Sequence, residues 1–160
     1  MFTGDRSGDF LFRAMHEVGL ANQPTSRSRD DSLTLHDIAI TATCHCAPPD
    51  NKPTPDEISN CREWLQQTIE LLPVRVFFAL GKIAWDAVVR EFRARGELLP
   101  EKPGGPIRNP KFAHGAIAPL AGGRKLIGSY HPSQQNTFTG VLTHEMLIEV
   151  FATAKRLVDE

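Results

Sequence analysis

The sequence predicts an α/β domain with a mainly parallel central sheet and helices on both of its faces. Three observations carry this. Stretches with helical spacing alternate with short apolar runs at 37–43, 74–80 and 125–130, the pattern of βα units. The run VRVFFAL at 74–80 is apolar at every position but Arg75, as in a strand covered on both sides. A chain of 160 residues with 41% hydrophobic content suffices for one core, so residues 1–160 are expected to form a single domain.

Each element has a local reason. In DFLFRAMHEV (9–18), Leu11, Ala14, Met15 and Val18 fall on one helical face, and Gly19 is a stop signal. Residues 20–36 are polar and serine-rich, a surface loop. DIAITAT (37–43) has the composition of a buried strand. A proline-rich loop follows, and Thr54-Pro55-Asp56-Glu57 opens a helix with a Thr cap, a proline in the first turn and Glu57 three residues after the cap. That helix is expected to run to about Leu72, where Pro73 ends it. After strand 74–80, Gly81 turns the chain into helix 82–95, closed by Gly96. A Pro/Gly loop (97–111), a short strand near 112–118, a firmer strand at 125–130, the HPSQQN loop and a helix over 144–158 complete the order. No strand precedes the first helix, whereas each later helix follows one, so an N-terminal strand is expected to be missing.

No stretch of about 18 apolar residues occurs, which excludes a membrane-spanning helix. The start MFTGDRSGDF lacks the basic and apolar regions of a secretory signal, so a cytoplasmic protein is the expectation. The net charge of −1 argues against indiscriminate nucleic-acid binding. Its distribution is uneven: between Glu101 and Glu145 stand Lys102, Arg108, Lys111, Arg124 and Lys125 with no acidic residue. Such a stretch is either a face for phosphates or an ordinary basic surface. Cys44, Cys46 and Cys61 are too few for a disulfide framework and close enough together to raise a metal site; buried thiols are the alternative.

In such sheets ligands bind beyond the carboxyl ends of the strands. The loops after 37–43 and 125–130 are therefore the places to look, and both carry unusual side chains. Asp5, between two glycines ahead of a helix, is a candidate to hold a water or stabilise a cation, or else a helix cap. Asn51 stands among prolines, where a rigid carboxamide suits a base edge or satisfies its own turn. His131 follows a strand end, where an imidazole can donate to an oxygen gaining negative charge. Ser133, Gln134, Gln135 and Asn136 are uncharged hydrogen-bonders, compatible with a nucleic-acid groove or with a solvated loop.

Taken together, HPSQQNTFTG (131–140), CAPPDNKPTPDEISNC (46–61) and FTGDRSGDF (2–10), with ALGKIAWDA (79–87) between, resemble the type-5 uracil-DNA glycosylases. These are an iron–sulfur branch of the uracil-DNA glycosylase superfamily, and the match covers essentially the whole chain in order. The resemblance implies a three-layer α/β/α fold and removal of uracil from DNA, with uracil-containing DNA as partner, a monomeric state and no membrane. By resemblance His131 donates to uracil O2, and Asp5 positions water or stabilises the sugar cation. Asn51 reads the uracil edge and Phe2 stacks on the base. Ser133, Gln134, Gln135 and Asn136 belong to the loop that enters the duplex, its lack of charge suiting stacked bases. Cys46 and Cys61 match two of the family's four ligands to a 4Fe–4S cluster, whereas Cys44 matches no ligand position.

The chain also departs from the family. A GLAPA-type motif and two further cluster cysteines are expected ahead of FTGD and are not in these 160 residues. Val141 stands where a basic residue is expected, and His144 is atypical. An N-terminally truncated glycosylase domain is thus the expectation. The alternative is a non-catalytic remnant that binds DNA weakly or does not fold alone.

Overall fold

The structure, a computed structural model, describes residues 3–45 and 53–159. Its elements run α1 (Arg6–Glu17), α2 (Pro55–Asn60), α3 (Arg62–Leu71), β1 (Val76–Leu80), α4 (Lys82–Ala94), β2 (Ile117–Pro119), β3 (Lys125–Ser129), α5 (Gln134–Phe138) and α6 (His144–Asp159).

The sheet has the order β1-β3-β2. β1 lies parallel to β3, from Val76 opposite Lys125 to Leu80 opposite Ser129. β2 lies antiparallel to β3, Ile117 opposite Ile127. Among the described residues the sheet is therefore mixed rather than mainly parallel. The reason is the length of the connection: residues 120–124 close a tight turn, with Leu120 N–H donating to Arg124 O at 2.8 Å. A turn that short joins antiparallel strands, and only β1 to β3 has the long crossover that parallel strands require.

Alternation along the strands sorts the core into two layers. Phe77, Ala79 and Leu126 pack with Ile69 of α3 and Trp85, Val88, Val89 and Phe92 of α4. On the other face, Phe78 and Leu80 meet a cluster built by Leu11, Phe12 and Met15 of α1 and Leu147 and Phe151 of α6. Phe78 stacks on Phe151 with centroids 4.3 Å apart. Helices thus cover both faces, the α/β/α arrangement expected.

Three local expectations are corrected. Residues 37–43 form no strand. Ile38, Ile40 and Ala42 are half-buried while their neighbours Ala39 and Thr41 are exposed, so the chain is extended and sided. A period of two reports extension, not a ladder partner, and no strand pairs with this segment among the described residues. The helix from 55 to 71 is two helices, broken at Cys61, where Trp64 N–H reaches back three residues to Cys61 O at 3.2 Å. The short strand is confined to Ile117–Pro119, because Ala116 N–H turns back to Ala113 O at 3.2 Å and residues 113–116 fold as a turn.

A buried carboxylate ties α3 to α4. Glu91, 2% exposed, accepts from Arg62 Nε at 2.7 Å, Gln66 Nε2 at 3.2 Å and Arg95 Nε at 2.7 Å. Burial alone would raise its pKa, but these three donors together hold it below the ordinary carboxylate value.

Candidate active site

The carboxyl edge of the parallel pair gathers the residues with chemical potential. β3 ends at Ser129 and the chain continues through Tyr130 to His131, while β1 ends beside it at Leu80 and is followed by Gly81. Gly81 N–H donates to Ser129 O at 2.8 Å, carrying the ladder one residue past the strand. Gly81 has φ of +89°, and a Cβ built there would stand 3.2 Å from His131 Cβ. A side chain at 81 would be strained by the backbone and would press on the imidazole. This glycine starts α4 and also makes room for His131, a second role that its place between strand and helix did not announce.

The segment after His131 is the short helix α5, not an open loop. Ser133 is its N-cap and accepts from Asn136 N–H at 3.4 Å. Asn136 Nδ2 in turn donates to His131 O at 2.9 Å. Ser133 and Asn136 therefore spend side-chain bonding capacity holding His131 and α5 together. Gln134 and Gln135 face solvent. Phe138, at the end of α5, is 68% exposed, and the Arg6 guanidinium lies 5.8 Å from its ring centre.

Asp5 is the N-cap of α1, its Oδ1 accepting from Gly8 N–H at 2.6 Å. It is a cap, as one of the two sequence readings had it, and it is also within electrostatic reach of His131. Burial pushes the His131 pKa down from 6.5, and the negative charge of Asp5 pulls it part of the way back. Burial thus favours the uncharged imidazole, an N–H donor without a formal charge.

Phe2, Cys46 and Asn51 lie outside the described residues. Cys61 caps the break between α2 and α3, and its Sγ accepts from His45 N–H at 3.4 Å. His45 stacks on Trp64, centroids 5.2 Å apart. A sulfur already facing a backbone N–H fits a thiolate ligand. Among the described residues, however, no group of three or more His, Cys, Asp or Glu is placed to hold a metal ion. The basic stretch divides as well. Lys102, Arg108 and Lys111 are exposed, but Arg124 Nη2 donates to Glu97 Oε2 at 2.6 Å and its guanidinium packs over Phe92.

Sequence reasoning passed over His114, in KFAHGA. Its Nδ1 accepts from Tyr130 N–H at 3.2 Å, one residue before His131. A histidine in a short Gly-containing loop gives no signal by itself; only the fold lays residues 113–116 beside β3.

Comparison with known proteins identifies the family of the chain. The family model of the uracil DNA glycosylase superfamily matches residues 1–155. The type-5 uracil-DNA glycosylase of Thermus thermophilus is 48% identical over 157 residues, which is 98% of this chain and 66% of that protein. The type-5 uracil-DNA glycosylase of Mycobacterium leprae is 46% identical, over 98% of this chain and 65% of its own length. That of Pyrobaculum aerophilum is 41% identical, over 96% and 62%. The chain thus spans just under two thirds of the length of these relatives. On the match across nearly its whole length, the chain belongs to the uracil DNA glycosylase superfamily.

Proposed function

We propose that this chain excises uracil from DNA, cleaving the N-glycosidic bond to leave an abasic site. The observation that carries the reading is the half-buried imidazole of His131 at the carboxyl edge of the sheet, where Gly81 makes room for it and Asp5 caps the neighbouring helix.

A uracil inside a duplex is out of reach, so the nucleotide must leave the stack, at roughly a few kcal/mol. Gln134, Gln135 and Phe138 form the exposed surface next to His131 that meets the opened duplex, and Lys102, Arg108 and Lys111 meet phosphates. The bond from C1′ to uracil N1 then breaks with its electron pair remaining on uracil, leaving a cationic sugar. The His131 N–H donates to uracil O2 as negative charge gathers there. A neutral donor strengthens this bond without fully transferring its proton. Asp5, held by Gly8 N–H, favours the sugar cation and orients the water whose oxygen bonds to C1′. The proton released by that water balances the one uracil takes up on leaving. Asn51 reads the uracil edge and Phe2 stacks on its face, each by the family's pattern.

The same reading assigns Cys46 and Cys61 as two ligands of a 4Fe–4S cluster. The cluster would pin the Asn51 loop to the helix pair α2–α3 and supply no step of the cleavage. Protein that contains iron should lose most of it on Cys61→Ser, by direct iron assay; unchanged iron would remove Cys61 from the ligand set. We further infer a monomer acting as one domain in the cytoplasm. No helix among the described residues is long and apolar enough to cross a membrane.

The test is alkali-induced strand cleavage after incubation with duplexes containing a single U·G, U·A or C·G pair. Cleavage is expected at U·G and, more slowly, at U·A, because a mismatched base costs less to flip. None is expected at C·G. A folded chain that leaves all three duplexes intact would overturn the activity.

A further inference from the structure

We propose that His114 is a positioning residue that fixes the strand end carrying His131. The proposal rests on the function inferred above for His131, but it has a readout of its own.

Pairing of β3 with β2 ends at Ile117 and Ile127. Gly128 then bonds in both directions, its N–H donating to Ala116 O at 2.9 Å and its carbonyl accepting from Gly115 N–H at 2.8 Å. A Cβ at 128 would fall 2.8 Å from Ala113 O and 3.1 Å from the Trp85 ring. The glycine is what allows turn 113–116 to lie this close. Past that point residues 113–116 turn away, so among the described residues no strand is left on this side to take the Tyr130 N–H. The side chain of His114 takes it instead.

Residues 129–131 are thereby held from three sides. Gly81 N–H binds Ser129 O at 2.8 Å, His114 Nδ1 binds Tyr130 N–H at 3.2 Å, and Asn136 Nδ2 binds His131 O at 2.9 Å. The His114 ring also lies beside that of Tyr130, centroids 5.1 Å apart. The Ser129 hydroxyl stands 3.5 Å from the same Nδ1 and donates to Tyr130 O at 3.0 Å.

The tautomer follows from the partner. A backbone N–H can only donate, so His114 Nδ1 must present its lone pair and the ring proton must sit on Nε2. Removing this acceptor leaves the N–H before His131 without its partner and lets the strand end move. A misplacement of the order of an ångström at a reacting group costs about 10²-fold in rate.

Two substitutions separate the acceptor from the ring. His114→Phe keeps the ring beside Tyr130 and removes the acceptor, whereas His114→Asn sets a carboxamide oxygen near the place of Nδ1. Each variant is compared with the full chain by single-turnover excision at U·G, by affinity for the same duplex, and by the His131 ring signals in NMR without DNA. His114→Phe should slow excision by roughly 10- to 100-fold at unchanged affinity, with His131 signals shifted or broadened, while His114→Asn should stay within about fivefold of wild type.

Equal losses in the two variants, or a wild-type rate and undisturbed His131 signals in His114→Phe, would overturn the proposal. If the wild-type chain releases no uracil, the functional reading fails, yet the His131 signals still decide the positioning role. A check without any variant covers the case in which His114→Phe does not fold. Nitrogen-15 correlation of the wild-type ring should show His114 protonated on Nε2 at neutral pH, and a proton on Nδ1 would contradict the proposal.

Discussion

His131→Ala is expected to slow uracil release by roughly 10²–10³-fold, the usual loss when a donor to a developing anion is removed. Affinity for a U·G duplex should change far less, because Gln134, Gln135 and the exposed lysines remain. The fold should survive, since the bonds that define this edge run through the His131 carbonyl and its neighbours' backbone. Asp5→Asn is the matched companion. Asn also caps helices, so the bond from Gly8 N–H is kept while the charge is lost. Burial holds the His131 pKa below 6.5 and Asp5 opposes that shift. Without the carboxylate, His131 must titrate at a still lower pH. NMR titration of the ring reads this directly, and an unchanged or higher midpoint would show that the two residues are not coupled.

Glu91→Ala is expected to destabilise the chain by about 2–3 kcal/mol, below the usual range for breaking a buried ion pair because both arginine partners reach solvent. For a domain of this size that lowers Tm by roughly 5–10 °C. The sign of the pH dependence is fixed by the lowered carboxyl pKa. An unfolded glutamate titrates near pH 4.3. The stabilisation is fully present above that value and is lost as pH falls through the lower folded value. Wild type and Glu91→Gln should therefore converge in stability in acid and diverge toward neutrality. Parallel curves at every pH would mean that packing rather than charge holds α3 to α4.

Much of this edge was legible in the sequence because its cues are local. The Thr54 cap with Glu57 is realised as a reciprocal capping box. The strand VFFAL and the strand ending at Ser129 sit where apolar runs placed them. His131 was marked by its position after a strand. What escaped depends on contacts distant in sequence. Residues 37–43 alternate like a strand, but alternation cannot say whether a partner strand lies alongside. Ser133 reads equally well as a loop residue or a helix cap, and the five residues of α5 are too few to show a period. Arg124 belongs to a basic stretch in sequence and to Glu97 in space. His114, sixteen residues before Tyr130 in the chain, acquires its partner only when a turn crosses Gly128. Asp5 caps α1, as one of its two readings had it, and it also biases His131, which neither reading stated.

If uracil is bound and cleaved against His131, the imidazole must sense its arrival. The most direct measurement follows the His131 ring signals on adding a U·G duplex whose deoxyuridine carries a 2′-fluorine, which disfavours the sugar cation and leaves the base attached. The His131 signals should move with this duplex and stay in place with its C·G counterpart. Uracil DNA that binds, or is cleaved, while the His131 signals remain unmoved would contradict that role of His131.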